Sequence, residues 1–334
     1  MSESAPRAIA PRPADHWPRL RHRPLRAADL AESMALLPAH LDLDADERAR
    51  LAQWWTSHVD APGLLTGVIE DMALPAGRRI QGWGVSMIAS PALRERLDLE
   101  RSPRGHLARR AYAALLAGEV TLPDDRDIGR WNAAGELVLL ILHFTLRHFD
   151  LADPYASKVI TSANDSFRAF HDGYQWRAMF YENAAAAAPI ALQSGFGAGR
   201  FADEAELACM PPPLRPALFV LTREQARLQM PGTTARNCFE WQAPRFRFNA
   251  AQRKLLRNAL FDENDDALMA LLEVSVHGLK KLWRGIYERV EAVEPEFFGE
   301  PAGADDGKRG PEKRRQVLAY VRQRPEELRP WVGA

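Results

Sequence analysis

FNAAQRKLLRNALFDENDDALMALLEVSVHGLKKLWRGIYERV, residues Phe248 to Val290, is the stretch in which periodicity, capping residues and charge all describe one object, a three-helix unit. Asn249 followed by Gln252 is a helix-start signature, because the first side chain can cap a free backbone N–H and the second can bond back. Leu255, Leu256, Ala259 and Leu260 then make one apolar stripe. Asp262 to Asp265 breaks that stripe, and Asp265 with Asp266 puts negative charge where the dipole of a second helix favours it. This second helix carries Leu268, Met269, Leu271 and Leu272, and Ser275 is placed to cap a third. In the third helix Val276, Leu279, Trp283, Ile286, Tyr287 and Val290 recur at three- and four-residue steps and share one face. Lys280, Lys281 and Arg284 fall off that face. An apolar back with a cluster of long cations is the form a helix-turn-helix protein lays in the DNA major groove. It also describes a solvated basic face on an ordinary packed helix.

The spacing of Ser275, Leu279-Lys280 and Ile286-Tyr287-Glu288-Arg289-Val290, behind the opening Phe248-Asn249-x-x-Gln252, resembles the DNA-binding domain of LuxR-type (NarL/FixJ-like) bacterial regulators. The resemblance implies a helix-turn-helix domain over 244–293 and double-stranded DNA as partner. Lys280, Lys281 and Arg284 would then meet groove and phosphate, Ser275 and His277 would lie near the DNA backbone, and a homodimer would present two half-sites. An acidic, Gly- and Pro-rich linker over 294–310 precedes a basic C-terminal helix over 311–334. Arg309 just before it, with Lys313, Arg314 and Arg315 within it, suit either a phosphate backbone or a solvated helix end.

Charge supports only a local nucleic-acid patch, since 44 Lys+Arg balance 44 Asp+Glu over 334 residues and no global field steers a polyanion. Cys209 and Cys238 sit in no metal-ligand spacing and fit a reducing cytoplasm. No apolar run reaches the length of a membrane span, and the N-terminus lacks the apolar core of a secretory signal, so a cytoplasmic protein is expected.

Residues 1–21, rich in Pro, Arg and Ala, read as a flexible tail, and 22–243 as an α/β sensor-like domain. Leu64 to Met72 and Arg79 to Ala89 flank a Pro/Gly turn and predict an antiparallel hairpin. Glu136 to Leu146 is the most apolar run and predicts a central buried strand, with a buried helix as the alternative. Asp124 to Asp127 reads as a polar loop, and Gly195 to Gly199 as a mobile turn. The order of elements from Arg23 to Ala202, opening with Arg23-Pro24-Leu25, resembles the GNAT acyltransferase fold. That resemblance implies a phosphate-cradling loop, and Arg79-Ile80-Gln81-Gly82-Trp83-Gly84 matches the family's loop pattern in letters. It falls inside a hairpin strand with no helix after it, so the domain is read as degenerate. His143, His148 and His171 form no zinc pattern and read as core or surface residues. His171-Asp172-Gly173 reads as a helix end.

The expected fold is therefore α+β, a GNAT-like mixed sheet with flanking helices, plus a separate all-α helix-turn-helix domain. The expected function is a DNA-binding transcriptional regulator with a non-catalytic sensory domain. No catalytic residue, metal or cofactor is assigned, and a small-molecule ligand stays open. The alternatives are an acyl-CoA-dependent N-acyltransferase with an accessory helical domain, and a helix-turn-helix protein-interaction module.

Overall fold

The apolar run of residues 137–146 is the middle strand of a seven-stranded sheet, as its lack of a polar face requires. The computed structural model describes residues 17–261, 263–299 and 306–332, with side chains in the last segment from Gly310 onward. The strands are β1 (Leu20–Pro24), β2 (Leu64–Asp71), β3 (Ile80–Ile88), β4 (Leu137–Leu146), β5 (Trp176–Ala184), β6 (Gly197–Ala198) and β7 (Pro216–Thr222). Their order across the sheet is β1-β2-β3-β4-β5-β7-β6. Every pair is antiparallel except β4 and β5, so the sheet is mixed.

The helices of the α/β part are α1 (Leu30–Met34), α2 (Ala45–His58), α3 (Pro91–Arg96), α4 (Leu107–Leu116), α5 (Asp125–Ala134), α6 (Pro154–His171), α7 (Ala188–Gln193), α8 (Glu204–Leu207), α9 (Arg223–Arg227) and α10 (Thr234–Asn237). After them come α11 (Ala250–Leu260), α12 (Asp265–Leu272), α13 (Val276–Val293) and α14 (Asp306–Gln323). Alternation along β4 divides the core: Val138, Leu140 and Leu142 pack with Trp55 and Tyr112 on one face, and Leu137, Leu139 and Ile141 with Phe170 and Trp176 on the other. Helix α6 crosses the second face so closely that a Cβ at Gly67 would lie 2.5 Å from Phe170 and 2.9 Å from the Ser166 hydroxyl. Glycine there is a packing requirement.

Asp124 to Asp127 is not a loop, because the Asp124 carboxylate caps α5 by accepting from the Asp127 N–H. The glycine-rich turn contains an edge strand, with Gly197 and Ala198 paired to Val220 and Phe219 of β7. β1 begins at Leu20, inside the segment expected to be tail, and α14 begins at Asp306, which leaves Pro311 within the helix.

Two expected caps are in place, Asn249 bonding reciprocally with Gln252 and Ser275 capping α13, while α12 is capped by Asn264 of the polar break. Leu255, Leu268, Trp283 and Ile286 then share one core with Val317 and Val321 of α14. This block is tied to the sheet layer by ion pairs of Arg253 with Asp125 and of Arg26 with Glu263. Arg329 adds hydrogen bonds of 2.8 Å to the Ala169 and Asp172 carbonyls. A separate helix-turn-helix domain is not shown. Among the described residues no helix is long and apolar enough to cross a membrane.

Candidate functional site

β4 and β5 run side by side only from Leu137 opposite Trp176 to Ile141 opposite Tyr181. Beyond that point Phe144 to Leu146 stay with β3, while Glu182 to Ala184 stay with β7. The sheet therefore splays at the carboxyl ends of its one parallel pair, the place where open α/β sheets take ligands. A bulge helps to bend β4 away: Val85 faces His143 and Ser86 faces Ile141, so Leu142 is an extra residue.

The splay opens on the α6 side into a cavity of about 440 Å³, a size typical of small-molecule sites. Phe144 and Leu146 of β4, Tyr181 of β5, Phe167 of α6, Ile190 of α7 and Phe196 contribute its apolar wall. Thr145, Tyr181, Ser194 and Thr234 are the hydroxyl-bearing residues among its lining. The Thr145 Oγ1 is buried with no hydrogen-bond partner, but Thr145 is paired with Trp83 of β3, so its side chain lies on the face opposite Phe144 and Leu146. Tyr181 accepts a 2.5 Å hydrogen bond from Asn183 Nδ2. Burial raises the Tyr181 pKa against the lowering effect of that hydrogen bond, so the phenol keeps its proton.

On the opposite face the splay is closed. His143, next to the bulge, lies against Trp83, with ring centroids 4.6 Å apart, and its Nε2 is 3.3 Å from the Tyr112 hydroxyl. Burial, and then the nearby His40, pushes the His143 pKa down to about 3. His40 falls to about 4 from burial and then from His106. Glu182 accepts from the Leu107 N–H at 2.7 Å and the Ala108 N–H at 3.4 Å, at the start of α4. Burial outweighs those bonds and pushes it up to about 7.

The residues expected to touch DNA are not gathered at this cavity. Ser275 accepts from the Gly278 N–H at 3.2 Å as a cap, and His277, Lys280, Lys281 and Arg284 are exposed along α13. The α14 cations serve packing: Arg314 lies 4.7 Å over the Trp283 ring and 2.6 Å from Asp265, and Lys313 lies 4.8 Å over Phe298 and 2.5 Å from Glu291. Arg315 pairs with Glu312 of its own helix at 2.7 Å. The Arg309 side chain lies outside the described residues.

The glycines of Arg79-Ile80-Gln81-Gly82-Trp83-Gly84 lie within β3, where a Cβ at Gly82 would meet Ile69 at 2.8 Å and Leu146 at 2.9 Å. Gly82 is therefore a packing glycine and not a phosphate contact. The helix that follows β4 is α6, whose first N–H groups are engaged by an acid: Asp153 accepts from Tyr155 at 3.1 Å and Ala156 at 3.4 Å. Asp150 adds a second carboxylate, accepting from Ala152 at 2.9 Å. A phosphate would be repelled there. His148 lies 3.7 Å from Asp153, and His171 donates from Nδ1 to the Phe167 carbonyl at 2.6 Å.

No known family profile matches the chain, and no curated protein does. Solved structures do. One is mutant forms of the spermidine/spermine N-acetyltransferase SpeG from Vibrio cholerae, at 11% identity, covering 62% of this chain and 96% of that one, with a TM-score of 0.33. Another is NAA60 of Arabidopsis thaliana in complex with acetyl-CoA, at 12% identity, covering 61% and 98%, with a TM-score of 0.33. A third is FeeM, an N-acyl amino acid synthase from uncultured soil microbes, at 12% identity, covering 63% and 96%, with a TM-score of 0.31. The expectation of a transcription regulator partnered by double-stranded DNA is corrected: the α14 cations expected along phosphates are instead spent on rings and carboxylates of the protein itself.

Proposed function

We propose that the chain is an acyl-thioester-dependent N-acyltransferase on a GNAT-like sheet, with its acyl chain lodged in the cavity between β4 and β5. The observation that carries this reading is the splay itself, which leads from two unpaired strand edges into about 440 Å³ of apolar space. An extended, amide-bearing arm of a thioester can hydrogen-bond to such edges as an added strand does. The acyl chain then follows into the apolar space, and each buried methylene contributes about 0.8 kcal/mol.

The chemistry needs two things of the protein. The thioester carbonyl must be held, which suits the open edge of β4 beyond Ile141, and the departing sulfur must receive a proton, which suits the Tyr181 phenol. An amine nitrogen attacks the carbonyl carbon, a C–N bond forms and the C–S bond breaks. Tyr181 hands its proton to the thiolate and regains one from the amine nitrogen, so the products are an amide and a free thiol. The opposite face is filled by Trp83, Tyr112 and His143, so the acceptor shares the mouth on the α6 side. With Asp150 and Asp153 at the start of α6, the donor is selected by its chain and arm and not by a phosphate grip. Helices α11 to α14 form the accessory block.

Incubation of the full chain with octanoyl-CoA and a panel of primary amines, with thiol and amide measured by mass spectrometry, tests this. Thiol and amide released in equal amounts support the reading. Thiol without amide, or neither product with any amine, overturns it.

A further inference from the structure

We propose a second site, in the seam between the sheet layer and α11, that binds a small organic anion, a carboxylate or a phosphate, through Arg257. The seam holds a cavity of about 180 Å³, room for a small anion and its waters at roughly 30 Å³ per water. It shares no lining residue with the larger cavity, so it stands independently of the acyltransferase reading.

Charge in the cavity is unbalanced. Arg253, Lys254, Arg257 and Arg329 face only Asp60 and Asp125. Three of the four cations are already committed. Arg253 pairs with Asp125, and Lys254 Nζ lies 3.1 Å from Asp60. Arg329 donates to the Ala169 and Asp172 carbonyls and lies 4.7 Å over the Tyr174 ring. Arg257 has no hydrogen-bond or ion-pair partner among the described residues, and its Nε is buried without an acceptor. Burial acts on it first, lowering its pKa, against the favourable fields of Tyr174 and Asp60 and with the unfavourable ones of Arg329 and Arg253.

A guanidinium keeps its proton, and half-buried Arg257 has the cations Arg253 and Arg329 as unfavourable neighbours. Its fork of N–H groups matches the two oxygens of a carboxylate or phosphate in a bidentate pair. Asp125 pairs with Arg253 and Asp60 with Lys254, and neither forms an ion pair with Arg257. An anion from solution completes the site and clamps α11 to the sheet layer.

The test is titration calorimetry and thermal melting of the full chain with sodium phosphate and, separately, with sodium succinate, at ionic strength held constant with sodium chloride. At least one of the two should bind saturably and raise the melting temperature above the chloride control. Phosphate alone identifies a phosphorylated ligand, and succinate alone a carboxylate. Arg257→Gln should weaken that binding by roughly 10-fold or more, the factor carried by a charged hydrogen bond. In anion-free buffer the same variant should melt no lower than the natural protein, because it removes an unpaired charge; a purely structural Arg257 would lower it. No response to either anion beyond chloride, or unchanged binding by Arg257→Gln, overturns the proposal.

Discussion

On one face of the splay between β4 and β5, Trp83, Tyr112 and His143 are packed without space; on the other, the same two strands border a cavity. Three perturbed titratable groups, His40, His143 and Glu182, belong to the packed face, and burial is the first cause of each shift. Perturbed pKa values often mark functional sites, but here they mark desolvation in a core. The signal of the open face is an absence of packing beside Tyr181.

Filling the open face should have the largest effect on ligand binding. Ala187 contributes to the cavity wall, and Ala187→Trp is expected to weaken octanoyl-CoA binding by about 100-fold or more, read by calorimetry, as a few buried methylenes are excluded. If binding survives, the chain lies elsewhere and the contrast between the faces loses its functional meaning. Emptying the packed face should affect stability instead. Trp83→Ala is expected to cost about 3–5 kcal/mol in urea unfolding, as removal of a large core ring does. A loss under 1 kcal/mol would mean that this face is not the tight core described.

Glu182 sharpens the comparison through pH. Its folded pKa is raised from 4.5 to about 7, so the fold favours the protonated form. The stability this contributes is complete below about pH 4.5 and is lost as pH rises through about 7. Glu182→Gln keeps an acceptor for the α4 N–H groups without the charge, and should raise stability at pH 8 by about 2–3 kcal/mol while flattening the profile between pH 4.5 and 7. Urea unfolding across that range reads it, and an unchanged profile would show that Glu182 does not titrate there.

The sheet was largely legible, because strands declare themselves through side-chain alternation and burial. The 64–72 and 79–89 pair and the central apolar run lie in the structure as β2, β3 and β4. The caps at Asn249 and Ser275 were legible too, since a capping side chain acts within three residues. The cavity was not. Phe144, Phe167 and Ile190 have the pattern of core residues, and nothing local distinguishes an apolar side chain facing a void from one facing another side chain. The splay depends on one extra residue, Leu142, within an unbroken apolar run. The α14 cations were misread because Trp283 and Phe298, the rings that receive Arg314 and Lys313, are distant in the chain. Arg257 carried no signal at all, since a cation beside an apolar stripe usually faces solvent. Capped, amphipathic helices describe how a helical block packs and not what it binds.

The most direct test of the central claim is calorimetric titration of the full chain with saturated acyl-CoAs of two to twelve carbons. The account predicts affinity that rises about fourfold per methylene and levels off when the cavity is full. Affinity independent of chain length, or no binding at any length, would contradict it.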